Sequence, residues 1–139
     1  MPSLVASHFG ANGVANGFMP RSTYLILMVV FVIGLPTVMV FITRQGMSRN
    51  NTRINLPNRD FWLAPERRIE TIDFLRTGVL RFGFLLITFL CYVHWLVVRA
   101  NEAQLVHLDE SWFLGGLATF LIALFFWLKI FMGHFRSRE

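Results

Sequence analysis

Charge is scarce in this chain: only 15% of its 139 residues are Asp, Glu, Lys or Arg. A soluble domain of that length buries one core and covers it with charge, so the composition excludes that class. Cysteine is almost missing. The single Cys91 lies in an apolar run, which rules out an intrachain disulfide and says nothing of redox compartment. The usual catalytic signatures are also missing. There is no Walker loop, dinucleotide-binding glycine pattern or Gly-x-Ser-x-Gly elbow, and no His-x-x-x-His, His-Glu-x-x-His or Cys-x-x-Cys spacing. No acid falls inside an apolar run, which counts against a proton-coupled pump built from this chain alone.

What is abundant is apolar surface. Hydrophobic residues make up 55% of the chain, with 15 Phe and 4 Trp, and the mean hydropathy is +0.54. Three charge-poor runs hold much of it: Tyr24 to Thr43, Phe82 to Val98, and Trp112 to Phe131. A twenty-residue helix is about 30 Å long, the thickness of a bilayer's hydrocarbon core. The pattern therefore predicts a single, all-α integral membrane domain with three transmembrane helices over 24–43, 82–98 and 112–131.

The net charge of +5 is not a nucleic-acid signal. Eight of the thirteen basic residues lie between Arg44 and Arg81, Lys129 lies near the end of the last run, and Arg136 and Arg138 follow it. Basic residues gathered on one side of alternate spans set topology by the positive-inside rule, and they favour anionic headgroups. The 44–81 connection and the 132–139 tail are thus expected in the cytoplasm, with the 1–23 head and the 99–111 connection outside. Tyr24, Trp95 and Trp112 would anchor the outer interface and Trp127 the inner one, while Lys129 snorkels. This is the topology of a multi-pass protein of a bacterial cytoplasmic membrane, N-terminus out and C-terminus in. A head of about twenty residues can cross unaided, or an earlier span can precede Met1 in the natural protein; the sequence leaves both open.

Between the spans, the head carries Asn12-Gly13, Asn16-Gly17 and Met19-Pro20, turn dipeptides that predict a compact outer loop. Gly34 and Pro36 predict a kink in the first span, with Thr37 available to the freed carbonyl. The polar part of the cytoplasmic connection includes a formal glycosylation sequon, Asn50-Asn51-Thr52, on the wrong side of the membrane to be used. From Pro65 to about residue 80 the pattern predicts an amphipathic interfacial helix that can run into the second span, with Pro65 at its first position. Trp62, Arg67, Arg68 and Arg76 are the candidates for docking lipid or a partner there, and the bland alternative is a solvated charged face.

Candidate chemistry is thin. His8, His94 and His107 fall on the expected outer side with Asp109 and Glu110, and imidazole with carboxylate is a common ligand set for Zn or Cu. A metal site at His8, His94, His107 and Asp109 would need two loops and a span to converge. The competing reading is that these histidines cap, hydrogen-bond or snorkel. Thr88, Cys91 and His94 follow one another at helical spacing, which suits interhelical hydrogen bonds better than a nucleophile lacking an orienting acid. Gly115, Gly116 and Ala118 suit close helix approach. No cofactor is implied.

The head also resembles a known family. Val5-Ala-Ser-His8-Phe9-Gly10, then Asn12-Gly13, then Asn16-Gly17-Phe18-Met19 ahead of a span, is similar to a bacterial membrane-domain family of unknown function. That domain is known at the N-terminus of immunity proteins that protect against a sporulation-delay toxin, and in many uncharacterised membrane proteins. The segment from Leu56 to Arg68 looks like one in the uncharacterised relatives, and is not found in the immunity proteins. The resemblance covers about residues 2 to 45. It implies an extracytoplasmic ligand or partner loop at His8, Asn12, Gly13, Asn16 and Gly17, and usually a further span before it. It supplies no reaction.

Three functions follow as expectations. The first is a non-catalytic interaction, immunity or accessory protein. The second is a subunit of a larger transport or respiratory complex, and the third a metal-dependent membrane enzyme. The partners expected are the bilayer and either a second copy or another membrane protein, since three spans make a small core.

Overall fold

The structure, a computed structural model, describes residues 1–46 and 54–136; the Asn50 sequon lies outside them. It is mostly helical (71%). Three helices are long and apolar enough to cross a membrane: Arg21–Gly46, Arg68–Glu102 and Glu110–Arg136. Each contains one of the three expected runs.

The chain opens on a β-hairpin where a compact loop was expected, so the fold is not purely α. Strand β1 (Leu4–Phe9) pairs antiparallel with β2 (Ala15–Pro20). The turn closes through Gly10 N–H to the Val14 carbonyl (2.8 Å) and Gly13 N–H to the Gly10 carbonyl (2.9 Å). Gly13 takes φ +70°, a conformation that glycine reaches without steric penalty. The register slips on either side of His8↔Gly17, so Ser7 and Asn16 are extra residues on opposite strands. Such bulges re-aim neighbouring side chains.

Pro20 ends β2 and leads into the first span. This consists of α1 (Arg21–Val29), a π-helical turn (Val30–Gly34) and α2 (Leu35–Gly46). The π turn lies just ahead of Pro36. A proline lacks the N–H for the regular bond and its ring crowds the preceding turn, so a wider turn relieves both. Leu35 N–H reaches the Val30 carbonyl, and Thr37 donates its hydroxyl to the Ile33 carbonyl (2.6 Å). Pro36 is buried and faces Gly83 of the next long helix.

After the short helix α3 (Arg59–Trp62), residues 63–67 form turns, and Pro65 stands in them, not at a helix start. Helix α4 then runs unbroken over Arg68–Glu102, 35 residues and about 52 Å. The expected interfacial helix and second span are thus one rod. Nothing in the sequence between them breaks a helix: Gly78 and Gly83 face partners, and no proline intervenes. Helix α5 (Glu110–Arg136) returns antiparallel along α4. Their seam is aromatic, with Phe89 stacked on Phe120 (4.5 Å), Phe82 tilted against Trp127 (5.2 Å) and Phe74 stacked on His134 (3.8 Å). Glycines admit these rings. A Cβ at Gly116 would collide with Tyr92, and one at Gly78 with Phe131.

Burial concentrates at the two ends of the rods. Val5, Tyr24 and Val97 form the core at the hairpin end. Ile72, Leu75 and Phe135 are buried at the arginine-rich end. The apolar windows between are only 6%, 17% and 0% buried, which suits helices whose middle is covered by lipid.

Candidate functional site

The hairpin end gathers most of the residues singled out from the sequence. Asn101, the last but one residue of α4, organises it. Its side chain accepts from Ala6 N–H (2.8 Å) and donates to both the Ala6 and Val97 carbonyls (2.9 Å each). A carboxamide presents the same donor and acceptor as a backbone peptide, so Asn101 pairs with β1 as a neighbouring strand would. It is 8% exposed, and a buried polar group of this kind stabilises only when fully bonded. No motif or spacing in the sequence distinguishes it.

A second clamp holds the turn. Leu108 N–H donates to the Gly13 carbonyl (2.9 Å), Val14 and His107 form an antiparallel bridge, and His107 Nε2 lies 3.0 Å from the Asn12 carbonyl. The His107 ring covers Gly13 so closely that a Cβ there would strike it and the Leu108 carbonyl. The other Asn-Gly pair repeats the device. The His8 ring lies over Gly17, where a Cβ would come within 2.9 Å of His8 Cβ. Each of the two glycines thus seats one histidine.

His94 is placed elsewhere. Its Nδ1 is 2.9 Å from the Tyr24 hydroxyl, and the two rings stack at 5.6 Å, tying α1 to α4. This is the interhelical hydrogen bond the spacing suggested for that helix. Thr88 instead returns its hydroxyl to Phe84 of its own helix (2.9 Å), and Cys91 is exposed. Asp109 caps α5: its Oδ1 accepts from Ser111 N–H (3.0 Å) and Trp112 N–H (3.2 Å).

Of the expected metal set, His8 is bonded to Ser7 (3.0 Å), and His94, His107 and Asp109 each serve a different local contact. Among the described residues no group of three or more His, Cys, Asp or Glu could hold a metal ion. What the head does present is a surface. His8, Asn12 and Asn16 are exposed, flanked by exposed apolar Leu4, Val14 and Phe18.

The residues expected to dock lipid or a partner divide at the opposite end. Trp62 is packed against His134 (5.0 Å) and Phe135 (5.5 Å), and the guanidinium of Arg67 sits 4.0 Å over Phe61. Thr71 fastens the segment by donating to the Trp62 carbonyl (2.8 Å). Arg68 starts α4, and Arg76 lies 3.8 Å from Asp73 one turn along. His134, stacked on Phe74, was not among the candidates, because a histidine in a basic tail carries no spacing signal.

Fold and site together describe a multi-pass membrane protein with a strand-built head fixed to the ends of its helices. No protein family, curated protein or solved structure matches the chain in comparison.

Proposed function

We propose that this chain is a non-catalytic protein of a bacterial cytoplasmic membrane, whose extracytoplasmic hairpin recognises a partner. The observation that carries the reading is the double clamp on the hairpin, Asn101 on β1 and residues 107–108 on the turn. Fixing a short hairpin this firmly serves recognition, because a surface ordered in advance spends less binding free energy on ordering. The exposed faces around His8, Asn16 and Phe18 combine polar and apolar groups, the composition of a contact surface rather than a reaction centre. An N-out, C-in orientation is supported by the arginines between Arg44 and Arg81. The resemblance of the head to the domain found on toxin-immunity proteins favours a protective or accessory role of this kind.

A photo-crosslinking side chain at Asn16 or Phe18 tests this in intact cells. A discrete adduct of defined mass is expected at these positions and not at Thr119, which lies on the apolar face of α5. The same lipid-only background at all three would refute the recognition surface. A second reading, a subunit of a larger membrane complex, is favoured by α5, whose apolar window has no buried residue. In that case the discrete adduct forms from Thr119.

A further inference from the structure

At the arginine-rich end, α2 and the first half of α4 enclose between them a cleft of about 300 Å³. It is lined by Val40, Thr43, Arg44, Arg76, Val79 and Leu80. We propose that this cleft binds one anionic phospholipid, its phosphate held between Arg44 and Arg76 and an acyl chain along Val40 and Leu80. The inference is independent of what the hairpin recognises.

Position is the first argument. Arg44 is the first charge after the twenty uncharged residues from Tyr24 to Thr43, so its guanidinium emerges where hydrocarbon gives way to headgroups. Arg76 comes beside it from α4, just before Arg81 and the uncharged run from Phe82 to Val98. Charge is the second. Guanidinium donors form a planar fork that matches phosphate oxygens, and they are less costly to desolvate than ammonium groups. Two of them side by side repel the choline of a zwitterionic lipid and attract a headgroup with net negative charge.

Thr43 donates its hydroxyl to the Met39 carbonyl (2.7 Å), so phosphate contact falls to the arginines. Asp73 lies 3.8 Å from Arg76 with its side chain 67% exposed, and it is not among the residues that line the cleft. The wall is the third argument. Val40, Val79 and Leu80 continue from the arginines toward the hydrocarbon, a surface that suits an acyl chain and is of no use to free phosphate.

The test is native mass spectrometry of the full chain in mild detergent, titrated with phosphatidylglycerol or phosphatidylcholine of equal chain length. Phosphatidylglycerol is expected to bind about tenfold more tightly than phosphatidylcholine, the scale of one charge-assisted hydrogen bond. The double variant R44Q/R76Q is expected to lose that preference, and Arg99→Gln, at the other end of α4, to keep it. Arg44→Gln alone, at an exposed helix end, is expected to reduce it and keeps the test valid if the double variant misfolds. Equal binding of the two lipids, or preference retained without the arginines, overturns the proposal. Displacement of phosphatidylglycerol by millimolar inorganic phosphate would make the ligand a free anion and overturn it as well.

Discussion

At the scale of single residues, the head depends on a few groups whose loss cannot be absorbed locally. Asn101→Ala leaves Ala6 N–H and C=O buried without partners. Each such group costs about 1–3 kcal/mol, so exchange of the Ala6 amide should rise at least tenfold, by about 1.4 kcal/mol or more. Unchanged exchange would show that Asn101 does not hold β1. The two glycines that seat histidines should differ. At Gly13 an alanine meets both a positive φ and the backbone carbonyl of Leu108, a residue whose N–H is itself bonded to the Gly13 carbonyl. At Gly17 the obstacle is the His8 side chain, which can rotate away. Gly13→Ala is therefore expected to cost about 1–3 kcal/mol and Gly17→Ala less, read from thermal unfolding in detergent. The Asn-Gly pairs were legible as turn signals, but only Gly13 turned out to sit in a turn. Gly17 lies in a strand against the His8 side chain, and side-chain crowding across strands leaves no mark in the local sequence.

At the scale of elements, the spans were legible because lipid imposes one simple demand, a long uncharged helix, and three runs meet it. The hairpin was not. Its six-residue strands, LVASHF and ANGFMP, show no strict alternation, and two bulges shift the faces in any case. Its stability comes from Asn101 and Leu108, about ninety residues away in the chain. The amphipathic stretch after Pro65 was legible as a helix able to run into the second span, and it does so as the first part of α4. Its Ile72 and Leu75 are buried, and Phe74 between them packs on Phe135 at the end of α5. The α4–α5 seam gives the prediction at this scale. Gly116→Leu drives a side chain into the Tyr92 ring, whose hydroxyl donates to the Trp112 carbonyl (2.7 Å). Overpacking of this kind costs about 1–3 kcal/mol, and the variant should unfold at a lower temperature than wild type. Gly115→Leu, where open space surrounds the position, should not. Equal melting of the two variants would refute the seam.

At the scale of the whole molecule, the protein is organised by its two ends. One is tied by the hairpin, Tyr24–His94 and the 107–108 bridge. The other is tied by the cluster of Trp62, Phe74, His134 and Phe135. Helix α4 stands between, with the first span packed on it by Pro36 and Gly83 and α5 by the aromatic seam. In the proposed orientation these ends lie on opposite sides of a membrane, recognition outside and basic lipid contact inside. The most direct measurement is cysteine accessibility in a Cys91→Ser background. Asn16→Cys and Asp60→Cys, both exposed positions, are probed with a membrane-impermeant maleimide. The account predicts that Asn16→Cys labels in intact cells and Asp60→Cys labels only after permeabilisation. Labelling of Asp60→Cys in intact cells, with Asn16→Cys protected, would contradict it.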